Sequence, residues 1–114
     1  MSWFTKASHS LDKQFIGTVN NGKIRIFLVN GGFVRDQLDT DFVWGGHSLA
    51  YKFIPDGEIW LERHDSDEHD LVSILAHELD EYIEMKYNHK SYEDAHAMAL
   101  KLEKLVRRDI PESN

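Results

Sequence analysis

Apolar and β-branched residues crowd the stretch from Phe15 to Val29, interrupted once by Asn20-Asn21-Gly22. Those three residues tolerate positive φ, so the pattern predicts two antiparallel strands joined by a hairpin turn. Gly31-Gly32 and Gly45-Gly46 then punctuate further strand-like pieces, Phe42 to Trp44 and Ser48 to Ile54. Pro55-Asp56-Gly57 leads from the latter into a last strand, Glu58 to Arg63. Residues 15 to 63 are therefore expected to form a small antiparallel β-meander. Residues 1 to 13 show no clear period and are read as an irregular or briefly helical lead-in.

After Asp65 the hydrophobic period changes from two to that of a helix. Ser66 or Asp67 can cap a helix that runs to about Tyr87. Ser91, followed three residues later by Asp94, resembles a capping box for a second helix ending near Arg108. The connection through Asn88, His89 and Lys90 is short, which makes the two helices antiparallel neighbours. Asp109 to Asn114, with Pro111, reads as a frayed tail. The expected class is α+β: one domain over residues 1–114, with a β-meander (15–63) followed by an antiparallel helix hairpin (66–108).

Placed at 100° intervals, Ile74, Met85, Leu71, Tyr82, Leu75, Leu79, Val72, Ile83 and Ala76 span an arc of roughly 200°, so the first helix should be largely buried. His77 and Glu81 sit together at one margin of that arc, and Glu78 falls inside it. Burying an unpaired carboxylate costs several kcal/mol or forces it to protonate, so Glu78 requires a cation or a hydrogen-bonding shell. On the second helix, His96 and Glu103 lie at the edge of an arc formed by Leu105, Met98, Leu102, Ala95, Val106, Ala99 and Tyr92. Folding the hairpin near residue 89 brings Glu81 and Glu84 toward His96, and His77 toward Glu103. The competing reading takes Asp70, Ser73, His77, Asp80, Glu81 and Glu84 as the solvated face of an ordinary amphipathic helix.

Composition narrows the chemistry. The 114 residues suffice for a single core without a disulfide or structural metal, so any metal here is expected to be functional. The chain has no cysteine and seven histidines, so ligands must be His, Asp or Glu and no nucleophilic thiol exists. Lys plus Arg number 13 against 20 Asp plus Glu, a formal charge of -7, and no basic stripe is present, which argues against direct nucleic-acid binding. No apolar run approaches the roughly 20 residues that span a bilayer, and the amino terminus has no secretory pattern. A cytoplasmic protein without membrane contact is expected; the sequence fixes no oligomeric state.

His77-Glu78-Leu79-Asp80-Glu81 forms an H-E-x-x-E motif. Residues four apart share a helix face, so His77 and Glu81 can bind one ion, while Glu78 projects about 100° away and could polarise a metal-bound water. The strand Glu58 to Glu62 followed by this helix resembles the zincin metallopeptidases, which carry an H-E-x-x-H helix beside an edge strand; the resemblance covers roughly residues 58 to 105. It implies His77 as first ligand, Glu78 as general base, Glu81 in the second ligand position and a third ligand from the following helix. His96 is chosen for that role, with Glu103 as an alternative ligand or a group behind the ligands. The set suits one zinc ion, and also manganese or iron(II).

A longer set of motifs is similar to small phage and prokaryotic proteins, a match that implies no activity. It comprises Gly45-Gly46-His47, Ile54-Pro55, Glu58-Ile59-Trp60, His77-Glu78-x-x-Glu81, Tyr92-Glu93-x-Ala95-His96 and Glu103. A phage-encoded protein would act in the host cytosol.

His47 follows two glycines and is either a fourth ligand or substrate contact, or simply the end of a tight turn. His64 and His69 flank the acidic loop Asp65 to Glu68, which lacks the spaced oxygens and central glycine of an EF-hand. His9 and His89 read as surface residues. Trp44, Tyr51, Phe53 and Trp60 read as core or cross-strand aromatics.

Two functions from different classes follow. One is a metal-dependent hydrolase of amide or peptide bonds using a metal-activated water, with a peptide or protein substrate adding as a strand along Glu58 to Glu62. The other is a noncatalytic acidic interaction protein, a phage-encoded inhibitor or virion component steered to a basic partner by its charge.

Overall fold

The structure is a computed structural model, and it describes residues 10–63 and 68–109. The chain divides into two compact units, Met1–Arg63 and His64–Asn114.

The first unit is built on a four-stranded sheet. Strands β1 (Gln14–Val19) and β2 (Ile24–Val29) form the expected hairpin. Its turn needs left-handed backbone: Asn20 and Asn21 both have φ 55° and Gly22 has φ 82°. The chain then departs from the meander. Instead of a third hairpin strand comes the short helix α1 (Gly31–Gln37), then β3 (Gly45–His47) and β4 (Glu58–Glu62). The sheet order is β1-β2-β4-β3, with β2 and β4 parallel and the two outer pairings antiparallel. Parallel neighbours need a crossover rather than a tight turn, and α1 with β3 supplies it.

Asn30 explains the helix. Its side chain accepts a hydrogen bond from the Phe33 amide at 3.2 Å, satisfying one of the donors that a helix start leaves open. Gly31 is needed for packing, because a Cβ there would overlap the Glu62 side chain. Arg35 grips that same carboxylate with two hydrogen bonds, 2.8 and 2.7 Å, and the Trp44 amide donates to it at 3.0 Å. The glycine pair expected to separate strands thus begins a helix that docks on β4.

Two other expected strands are corrected. Phe42 to Trp44 is irregular, Ser48 to Ile54 is a succession of turns, and Gly45-Gly46, read as punctuation, belongs to a strand with His47. Phe42, Tyr51, Phe53 and Ile54 nonetheless join the core without strand geometry: Phe42 and Ile54 are buried with Val29, Val34 and Trp60, and Tyr51 and Phe53 pack against them with Leu11 and Phe27. Phe53 bridges the rings of Tyr51 and Trp60 at 5.3 and 5.7 Å. Trp44 is exposed.

Position in the sheet changes one functional expectation. β4 is hydrogen-bonded on both sides, to β2 and to β3, so Glu58 to Glu62 is an internal strand. No substrate strand can add along it.

The second unit contains α2 (Glu68–Lys86) and α3 (Tyr92–Asp109). Contacts pair His77 with Glu103 and Glu81 with His96, so residue numbers rise along one helix as they fall along the other and the pair is antiparallel. Ser91 caps α3 as expected, its Oγ accepting from the Asp94 amide at 3.1 Å. The connection includes His89 at φ 55°, and Asn88 is tied to Glu84 at 2.9 Å. Ala95 and Ala99, fully buried and one turn apart, keep the interface narrow. The expected cap at Ser66 or Asp67 and the tail after residue 109 lie outside the described residues.

Candidate metal centre

Burial on α2 follows an unusual line. Among its described side chains Ser73, Ile74, His77, Glu78, Glu81 and Tyr82 are buried, a strip advancing by three and four that is mostly polar. Glu81 sits at the middle of that strip at 2% exposure, whereas Val72 is 50% exposed. His77 and Glu81, expected at the margin of the buried arc, are central to it. The solvated-face reading therefore fails for Ser73, His77 and Glu81.

Two helices bring the chemistry together. Glu81 Oε2 lies 3.2 Å from His77 Nε2 and 2.7 Å from His96 Nδ1. One atom each of His77, Glu81 and His96 fall within 4.8 Å of one another, and carboxylate oxygens of Glu78 and Glu81 approach within the same limit. The imidazoles of His77 and His96 meet edge to face, with centroids 4.9 Å apart. Glu103 approaches His77 from the other side of the ring, Oε1 lying 2.9 Å from Nδ1. That distance is within reach of an ion pair, but Nδ1 is buried and makes no well-directed hydrogen bond. The contact is thus close but not aligned.

The charges are mutually dependent. Burial raises the Glu78 carboxyl to about 8, assisted by the Glu81 carboxylate and opposed by His77, so Glu78 carries its proton at neutral pH. For His77, burial alone would lower the pKa. The Glu81 hydrogen bond and the charges of Glu78, Glu81 and Glu103 outweigh burial and raise it. Glu78 raises it only where its own carboxyl is ionised; the largest raising cause is the Glu81 hydrogen bond.

A cation is chemically suited to this arrangement. A tetrahedral ion with ligands at about 2.0–2.2 Å sets its donor atoms roughly 3.4 Å apart, close to the His77–Glu81 separation. The His96–Glu81 contact is shorter, a hydrogen-bond distance that would have to open by roughly 0.7 Å. Two imidazoles and one carboxylate are an ordinary ligand set for zinc and for open-sited iron(II).

Two neighbours were not assigned from the sequence. Tyr92 stacks on His96, with the rings 20° from parallel and centroids 5.4 Å apart. Its spacing of four residues was signal enough, but the residue counted only as apolar. Burial and the nearby Glu81 and Glu78 raise its phenol pKa. Arg107 reaches Glu103 Oε2 at 3.3 Å, again four residues away.

His47 belongs to the other unit. It ends β3 fully buried, and its Nδ1 accepts from the Leu49 amide at 3.2 Å, so that nitrogen serves its own turn. His64 and residues 65–67 of the acidic loop lie outside the described residues.

No family model, curated protein or solved structure matches the chain. No helix among the described residues is long and apolar enough to cross a membrane.

Proposed function

We propose that the α2–α3 hairpin binds one divalent metal ion through His77, Glu81 and His96, and that the protein is a metal-dependent hydrolase with Glu78 as its general base. The observation carrying this reading is the convergence of three ligand atoms from two helices, two of them on buried side chains. A bound ion would polarise a substrate carbonyl and acidify a water beside it. Glu78, held neutral by burial in the metal-free protein, would ionise next to a cation and so be able to take the proton of the attacking water. Zinc is the first choice of ion, with manganese and iron(II) as alternatives. Peptide or protein substrates are the proposed class, carried over from the zincin resemblance.

The test is metal content. Protein purified without chelator and dialysed against zinc should retain one ion per chain, and His77→Ala or His96→Ala, still folded by circular dichroism, should lose it. A parent protein that retains none contradicts the reading. For the chemistry, zinc-loaded Glu78→Gln should keep its ion and hydrolyse labelled casein at least ~100-fold more slowly than the parent. Equal rates would remove Glu78 from that role.

A second reading draws on the 2.7 Å contact, which suits a hydrogen bond better than two ligands of one ion. In it His77, Glu81 and His96 form an ion-free polar lock, and the chain, at charge -7, is a noncatalytic binder of a basic partner. Retained metal separates the two.

A further inference from the structure

We infer that Glu103 is not a metal ligand but a positioning residue: it holds a proton on His77 Nδ1 and so presents Nε2 toward Glu81 and His96. The inference rests on the metal site proposed above and adds which atom of His77 binds and what fixes it.

The two nitrogens of an imidazole direct their lone pairs away from each other. Nε2 of His77 faces Glu81 at 3.2 Å, while Nδ1 faces Glu103 at 2.9 Å. A carboxylate seated on Nδ1 therefore cannot also reach an ion held at Nε2. The compact ligand group contains His77, Glu81 and His96 and leaves Glu103 out.

His77 also needs such a partner. Its side chain is 9% exposed and Nδ1 is buried without a directed hydrogen bond, a state that costs free energy. Glu103 Oε1 is already within bonding distance, so a small rotation of ring or carboxylate completes the bond. Metal-binding histidines commonly donate their other N–H to a carboxylate, which fixes the tautomer and makes the bound nitrogen a better donor.

Glu103 is itself held. Arg107, one turn later on α3, pairs with the oxygen that does not face His77. The order along the interface is Arg107, Glu103, His77 and then the ligand cluster. Arg107 is 42% exposed, so its part is to restrict the carboxylate rather than to add much attraction.

Zinc affinity by chelator competition and the ring-nitrogen NMR shifts of His77 test the inference together on the full chain. Glu103→Ala should bind one zinc ion 10- to 100-fold more weakly than the parent. Glu103→Gln, whose amide oxygen still accepts from Nδ1–H, should recover most of that loss. Circular dichroism checks that both variants are folded. Nδ1 should show the shift of a protonated nitrogen in the parent with and without zinc, and lose it in Glu103→Ala.

Unchanged affinity in Glu103→Ala, or an unprotonated Nδ1 in the metal-free parent, overturns the inference. So does a cobalt-substituted Glu103→Ala whose visible spectrum reports a lost ligand, since Glu103 would then coordinate. A parent that binds no zinc but keeps Nδ1 protonated beside Glu103 removes the metal site alone. The two failures are therefore distinguishable.

Discussion

Both units bury carboxylates, and they neutralise them differently. In the sheet, Glu58 is 6% exposed and meets Lys13 at 2.7 Å, Arg25 at 3.7 Å and the Trp60 indole N–H at 2.9 Å. Glu62 is clamped by Arg35 and the Trp44 amide. These partners are an ammonium group, guanidinium groups and N–H donors. In the hairpin, Glu81 is met by two imidazoles, and the adjacent Glu78 escapes its burial cost by keeping a proton. A fixed counter-charge makes a structural element, whereas a contingent one leaves room for an ion. The sheet carboxylates are joints of the fold; the hairpin carboxylates are candidates for chemistry.

The comparison can be broken first through pH. Folded, Glu78 holds its proton up to about 8; unfolded, it releases it near 4.5. Between those values the folded chain binds more protons, so the contribution of Glu78 to stability is full below about pH 4.5 and is lost as pH rises through 8. The whole span is worth on the order of 5 kcal/mol. The urea midpoint of the metal-free protein should fall from pH 5 to pH 9, and Glu78→Gln should flatten the fall. A midpoint independent of pH would contradict the buried, neutral Glu78. His77, also raised, has the same sign: its contribution is full below 6.5 and lost as pH passes its folded value, so a remaining slope in Glu78→Gln is shared between His77 and Asp80, whose carboxyl pKa is also raised by burial.

The sheet unit should respond to partner removal instead. Glu62→Ala removes both carboxylate bonds of Arg35, leaving its bond to the Phe42 carbonyl, and the acceptor of the Trp44 amide, and should cost about 3 kcal/mol, read by urea unfolding at pH 7. Zinc retention should not change. If it does, the two sets of carboxylates are not independent in the way described.

Metal binding sharpens the contrast. An ion at His77 Nε2 must displace the proton shared there with Glu81, while the Nδ1 proton stays with Glu103, so zinc affinity should rise with pH between 6 and 8, by up to about tenfold per unit for each proton released. Competition titrations at three pH values measure it, and a flat profile would mean that His77 gives up no proton.

The smallest effects belong to the caps. Ser91→Ala and Asn30→Ala should each lose about 1 kcal/mol, because each side-chain oxygen accepts one helix-start amide. Ser91 was legible in the sequence, three residues before Asp94 in a strong helical period. Asn30 was not read that way, because Gly31-Gly32 after an apolar strand suggested a turn.

The same contrast between local and distant signals runs through the chain. Asn20-Asn21-Gly22 specified its hairpin through backbone conformation alone, and the helix hairpin followed from period and connection length. The parallel pairing of β2 with β4 joins residues more than thirty positions apart, and nothing in either strand's pattern distinguishes it from a meander. Tyr51 and Phe53 looked like strand residues because aromatic core residues do so wherever the backbone turns. At the site, the spacing of His77, Glu81, His96 and Glu103 was enough to bring them together. Their central burial was hidden because the helical wheel located the buried face by apolar residues, and here the polar residues occupy its middle.

The central claim is that two imidazoles and one carboxylate of the hairpin hold an ion. X-ray absorption at the zinc edge of the loaded protein counts them directly. The account predicts two histidine nitrogens and at least one carboxylate oxygen at about 2.0–2.2 Å, with one nitrogen lost in His96→Ala. A zinc shell without imidazole scattering, or a protein that retains no zinc to measure, would contradict it.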